Sequence, residues 1–318
     1  MTDLAAFNIS AFPAGQQNLR LVTGIPAAAS AGATPDSDTA AADDDSETDS
    51  ETDTDADSLL PALPIPLLGG LLPPPSPPPS PPPASPPPYL PWTNASTVLQ
   101  LRFPPHSANP AALPVGGAEF YAAPLAPALA QAHTAALRYS VFFPADFAWV
   151  KAGKLPGLYG GRAACSGGDR ATDCFSTRIM WRGGGEGELY LYAPKDRQTA
   201  SLCADPRSVC DAAYGFSVGR GAFAFRAGGW TTLVQTVRLN TPGRQDGGFV
   251  LEVDGRVVIR REDVFYRDGP PGAASSGAGR RAPSRAQRRT FFGGHGAAYE
   301  TPREQYVWFK DFALVVDG

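Results

Sequence analysis

The chain has 318 residues, a formal net charge of −4 and 43% hydrophobic residues, enough to fill one sizeable core. The charge is unevenly spread: the first 90 residues hold twelve acidic residues and one base, Arg20, leaving 26 basic against 19 acidic residues in 91–318. This split excludes a uniformly acidic solvating chain and points to a basic domain on an acidic tail, suited to a polyanionic ligand. Five of those bases (Arg280, Arg281, Arg285, Arg288 and Arg289) fall in one Gly/Ala/Ser/Pro-rich stretch, so the net charge alone decides little.

Residues 1–35 form a weakly ordered N-terminal segment. Their start, MTDLAAFNISAF, lacks the basic region and continuous apolar run of a secretory signal, so either another export route or, the preferred reading, a leader ahead of this sequence is expected. Residues 36–57 are an acidic Ser/Thr/Ala run without apolar periodicity, expected to be disordered. The apolar stretch that follows is broken by Pro61, Pro64 and Pro66 and is too short to span a bilayer. Residues 73–88 are a polyproline II spacer, so 36–90 is read as a disordered acidic and Pro-rich linker.

Residues 91–318 form one domain. Strand signals recur at 96–103, 136–144, 174–182, 187–194, 221–229, 230–240, 247–255, 256–261 and 305–316, where β-branched and aromatic residues lie between Gly, Pro and Asp breaks. The Asp-Gly pair at 254–255 marks a tight hairpin. Only 122–137 has room for helix, and its prolines limit that. Many strands, short turns and no βαβ rhythm define an all-β chain: a jelly-roll β-sandwich preceded by the disordered tail.

All four cysteines lie in this domain, and three pairings are possible. Cys165–Cys174 and Cys203–Cys210 are favoured because each closes a short local loop. A zinc site is the weaker reading, as neither pair has CxxC spacing and no histidine is near. Disulfides imply an oxidising compartment, and the sequons at Asn8 and Asn94 are compatible with it.

The most informative segments are CFSTRIMWR and GELYLYAP. Residues two apart in a strand share a face, so Ser176, Arg178 and Met180 point one way, and Tyr190 and Tyr192 share a face of the next strand. Trp181 faces opposite, into the core. The intervening GGGEG is a turn signal that sets the two groups side by side. A cation, a hydroxyl and two phenols on one sheet surface make a site for an anionic sugar.

The run LRYSVFFPADFAWVKAGKLPGLYGG, then CSGG, CFSTRIMWR, GELYLYAP, the block from GRGAFAF to VDG and the closing QYVWFKDFAL resemble the polysaccharide lyase family 14 domain. The resemblance covers nearly all of 96–316, in order. It implies a jelly roll that cleaves polyuronates such as alginate or glucuronan by β-elimination, with no metal and no cofactor. It also implies that Lys154 and Arg178 bind and neutralise the carboxylate, that Tyr190 and Tyr192 supply the base and the acid in either order, and that Ser176 orients substrate. Lys154 as the direct base is the alternative. A free tyrosine titrates near ~10, so Lys154 and Arg178 are expected to lower its pKa.

Gln235 and Asn240 are further candidates to donate to the sugar, with an ordinary polar sheet face as the other reading. His295 is a candidate second base or an exposed loop residue. The stretch 267–290 departs from the family pattern and reads as a flexible loop in place of a strand. The Ser-Pro-Pro-Pro repeats resemble the stalks of wall glycoproteins, so a secreted or cell-wall location is expected. The partner is then an anionic polysaccharide bound by a monomer, with no nucleic acid and no membrane. The competing function is a non-catalytic carbohydrate-binding jelly roll of a cell-wall glycoprotein.

Overall fold

The computed structural model describes residues 4–30, 93–109, 112–129, 131–161, 165–210, 214–268, 285–292 and 296–317. The expected linker 36–90 and His295 lie outside them. Among the described residues fifteen strands, numbered in chain order, form two sheets. The eight-stranded sheet runs β1 (Ile9–Ala14), β4 (Ala118–Ala122), β14 (Arg285–Phe292), β6 (Ala152–Gly161), β7 (Cys174–Arg182), β8 (Glu186–Tyr192), β10 (Phe216–Ala224) and β9 (Val209–Cys210). The seven-stranded sheet runs β13 (Arg256–Val264), β12 (Gly247–Val253), β11 (Gly229–Arg238), β5 (Thr134–Phe143), β15 (Gln305–Val316), β3 (Thr97–Phe103) and β2 (Leu19–Thr23). Pairings between neighbours are antiparallel throughout.

The two sheets form a sandwich around one apolar core, and strict alternation builds it. Leu137, Tyr139, Val141 and Phe143 of β5 point inward, as do Ile179 and Trp181 of β7 and Leu189 and Leu191 of β8. Each such side chain contributes roughly 1.5–3 kcal/mol by leaving water. Trp181 is fully buried, as its opposition to Met180 predicts, and its indole N–H donates to the Trp149 carbonyl at 3.0 Å. Asp254 and Gly255 both adopt positive φ (48° and 78°), the backbone that a two-residue hairpin between β12 and β13 demands.

Besides β4 and β9, which the sequence reading passed over, three elements differ from it. The N-terminal segment supplies an edge strand to each sheet: β1 pairs with β4 and β2 with β3. Asn94 fastens it, accepting the Ile25 N–H at 2.8 Å and donating to the Ile25 carbonyl. Second, β6 forms despite Pro156, which sits at an irregularity between Lys154 and Gly157 where no ladder donor is needed. Its free carbonyl accepts the Tyr139 hydroxyl from the opposite sheet at 3.0 Å. Third, the stretch read as a loop to 290 ends in β14, which fills the gap between β4 and β6. Backbone pairing on both flanks outweighs the modest β-propensity of RAQRRTFF. In 122–137, helix is limited to the single turn α1 (Ala126–Leu129).

Candidate active site

The ladder across β6, β7, β8 and β10 arranges the outer face of the larger sheet in rows. Tyr159, Ser176 and Tyr192 form the first row. Gly157, Arg178, Tyr190 and Ser217 form the second, and Lys154, Met180 and Glu188 the third. Arg182, opposite Ala152, begins a fourth. The expected hairpin is therefore present, and Ser176 and Arg178 stand directly across from Tyr192 and Tyr190. At Gly157 an added Cβ would lie 1.6 Å from the Thr177 carbonyl oxygen. Only glycine lets β6 approach β7 this closely beside Lys154.

Above these rows opens a cleft of about 390 Å³ lined by Lys154, Met180, Arg182, Tyr190, Tyr192, Tyr214, Ser217, Arg220 and Tyr299, among others. The Lys154 Nζ lies 5.6 Å from the centre of the Tyr190 ring, and the two tyrosine rings meet edge to face at 5.6 Å. The Tyr190 oxygen accepts the Gly215 N–H at 3.2 Å, and the Tyr192 oxygen accepts the Gly168 N–H at 3.3 Å. Burial, assisted by repulsion from Tyr192, pushes the Tyr190 phenol well above its ordinary range. The Gly215 hydrogen bond and Arg178 oppose that rise without overcoming it. The expectation of a lowered tyrosine pKa thus fails at Tyr190, because desolvation outweighs the nearby cation.

Ser176 and Arg178 lie on the expected face but are fully covered. The Ser176 hydroxyl donates to the Cys165 carbonyl at 2.9 Å, and Arg178 reaches the same carbonyl at 3.4 Å. The Arg178 guanidinium lies 5.4 Å from the centre of the Tyr192 ring. Tyr121, Tyr159, Tyr192 and the Cys165–Cys174 bridge form a small apolar cluster over them. These two residues brace the site from beneath and are shielded from solvent.

Gln235 and Asn240 are not in the cleft. Gln235 shares the inward face of β11 with Leu233 and Val237, and its side-chain oxygen accepts the Leu158 N–H between the sheets at 3.2 Å. Asn240 is fully buried; it donates to the carbonyls of Thr241, Arg244 and Arg267 and accepts the N–H groups of Tyr266 and Arg267. Such saturation makes it a structural hub, with nothing left for a sugar.

Both disulfides form as expected, Cys165–Cys174 and Cys203–Cys210. The cluster of Cys165, Cys174 and Asp169 accordingly has its thiols consumed in a bridge. No helix among the described residues is long and apolar enough to cross a membrane.

Sequence reasoning passed over Glu188, Arg182, Ser217 and Arg220. Glu188 is fully buried, yet its carboxylate meets Arg182 at 2.5 Å, Arg220 at 2.9 Å and the Ser217 hydroxyl at 2.5 Å. The signal was available: Arg182 continues the alternation Ser176, Arg178, Met180, and Glu188 that of Tyr190 and Tyr192.

The larger sheet of this antiparallel jelly-roll sandwich thus carries a cationic, tyrosine-lined cleft on its outer face. The chain belongs to the polysaccharide lyase 14 family, whose model matches residues 92–312, and is a polysaccharide lyase. It is similar to the PL-14 alginate lyase of Aplysia kurodai, with 29% identity, a TM-score of 0.59, and coverage of 70% of this chain and 84% of that one. It shares the fold of the alginate lyase vAL-1 from Chlorella virus, at 22% identity and a TM-score of 0.58, over 72% and 88% of the two chains. The alginate lyase Aly36B has the same fold, at 17% identity and a TM-score of 0.53, over 71% and 82%. No protein with a curated description matches the chain.

Proposed function

We propose that this chain is a secreted lyase that cleaves a polyuronate by metal-independent β-elimination in the cleft of the larger sheet. The observation that carries this reading is the convergence of Lys154, Tyr190 and Tyr192 in a cleft also lined by Arg182 and Arg220. The alginate lyase of Aplysia kurodai supports an acidic polysaccharide as the substrate. The two disulfides support an oxidising, extracellular location.

The reaction removes the proton at C5 of a uronate, forms the C4–C5 double bond and breaks the C4–O4 bond. Lys154 holds the carboxylate, whose charge must be countered as the carbanion-like state develops. Tyr190, kept protonated by burial, gives its proton to the departing O4. Tyr192 takes the C5 proton. The Gly168 N–H on its oxygen and the Arg178 guanidinium against its ring put positive charge where the phenolate of the base stage stands. Arg178 and Ser176 act through Tyr192 as positioning residues. Proton exchange with water returns Tyr190 to its phenol and Tyr192 to the phenolate that acts as base.

The donor set suits an anion better than a divalent metal. Among the described residues lining the cleft the cations are Lys154, Arg182 and Arg220, and the carboxylate beneath them, Glu188, is engaged by two arginines and a hydroxyl.

Tyr190→Phe and Tyr192→Phe test the roles. Each is expected to lower turnover at least a hundredfold while calorimetric affinity for a uronate oligosaccharide changes less than threefold. Turnover that survives in both variants refutes the assignment.

A further inference from the structure

Glu188 poses a chemical question, because a fully buried carboxylate on the floor of an anion-binding cleft would repel its ligand. The structure answers through its partners. One carboxylate oxygen meets Arg182; the other meets the Arg220 Nε and the Ser217 hydroxyl. Two guanidinium groups against one carboxylate leave a net single positive charge, matched to one carboxylate of a ligand.

The group is also well placed. Glu188 lies one row from Tyr190, two residues along the same strand, a displacement of about 6.8 Å. The two arginine side chains are 20% and 36% exposed, against 0% for Glu188, so the acid is hidden and the bases face the cleft. Arg220 spends its Nε on Glu188, and among the described hydrogen bonds its two terminal nitrogens have no partner. A planar guanidinium held rigidly by one edge presents the other as a fork for a second carboxylate.

We infer that Arg182 and Arg220, fixed by Glu188, form a subsite that binds the carboxylate of the uronate next to the one cleaved. It rests on the reading of the cleft as a uronate site and extends it. The subsite makes the enzyme require acid groups on two successive sugars, and it places the polymer along the strand direction from Tyr190 toward Arg182. Glu188 serves as a positioning residue, aiming the guanidinium groups without touching substrate.

The test uses the full chain and two probes, a saturated uronate oligosaccharide and its fully methyl-esterified form, with Kd measured by calorimetry alongside turnover. Arg220→Ala is expected to weaken binding of the free acid about tenfold, equivalent to about 1.4 kcal/mol, and to leave binding of the ester unchanged. In turnover, KM should rise by a similar factor with a much smaller fall in kcat. Arg220→Lys, which keeps the charge and causes little disturbance to packing, should recover part of the affinity. Equal weakening toward both probes, no weakening at all, or failure of the wild type to prefer the acid would overturn the subsite. Selective binding lost in Arg220→Ala, in a protein without turnover, would retain the subsite and defeat the lyase reading instead.

Discussion

Removing the Cys165–Cys174 bridge should damage catalysis far more than removing Cys203–Cys210, at a similar loss of stability. The bridges close loops of sequence separation nine and seven. Loop-closure entropy then assigns them about 2.6 and about 2.4 kcal/mol respectively. For a domain of this size each kcal/mol moves the melting midpoint by about 2–4 °C, so both double-alanine variants should melt about 5–10 °C lower by calorimetry. Their catalytic consequences differ because of what each loop holds. The Cys165 carbonyl accepts from Ser176 and Arg178, and the same loop delivers the Gly168 N–H to Tyr192. Releasing that loop frees both the brace and the donor, and kcat should fall at least tenfold, the equivalent of about 1.4 kcal/mol on the barrier. Releasing Cys203–Cys210 loosens the wall near Val209, while Gly215, the donor to Tyr190, stays tied to β10, which remains paired with β8. The assay is kcat for both variants well below their melting midpoints. Equal kcat losses, or a larger loss for the Cys203 pair, would refute the reasoning.

Three further outcomes follow from the same geometry. Asn240→Ala should cost about 3 kcal/mol or more in denaturant unfolding, because it strands the Tyr266 and Arg267 N–H groups, while kcat at low temperature is retained. At Asp263, burial favours the protonated acid, yet hydrogen bonds from Arg261, Ser201 and Thr199 prevail and hold its pKa down to about 2. A depressed carboxylate stabilises the fold above its unfolded pKa and loses that contribution as pH falls, so stability should drop between about pH 4 and pH 2, and Asp263→Asn should flatten the drop. Burial raises the Tyr190 and Tyr266 phenols, which then keep their protons in the fold while ionising near ~10 in the unfolded chain. Stability should therefore fall as pH rises above about 10, and a spectrophotometric titration should show these two phenols ionising only as the protein unfolds.

The part of the site that was legible in the sequence rested on period-two alternation across one hairpin. Cys174–Arg182 and Gln305–Val316 have the bounds their patterns indicate, and Ser176, Arg178, Tyr190 and Tyr192 share a face as expected. Alternation says which face a residue takes and leaves open what covers that face. Ser176 and Arg178 are roofed by a disulfide-closed loop whose path depends on tertiary packing. Gln235 was misread because its amide suggested solvent, although Leu233 and Val237 on the same face mark the core side. Asn240 gave no local sign of its role, since three of its five backbone partnerships are with Tyr266 and Arg267, 26 and 27 residues away. The strands β1, β2, β6 and β14 were missed for a common reason. Pro156 interrupts one pattern, a basic run obscures another, and the N-terminal pair is far from its partners in sequence. In each, pairing with distant neighbours decides the conformation.

The most direct measurement follows the ultraviolet absorbance of the unsaturated uronate that only β-elimination creates, with the full chain acting on alginate, glucuronan and pectate. The account predicts a rise on at least one of these polymers, undiminished by a metal chelator and abolished in Lys154→Ala. No rise on any of them, with binding to one retained, would contradict it and leave a carbohydrate-binding domain in place of an enzyme.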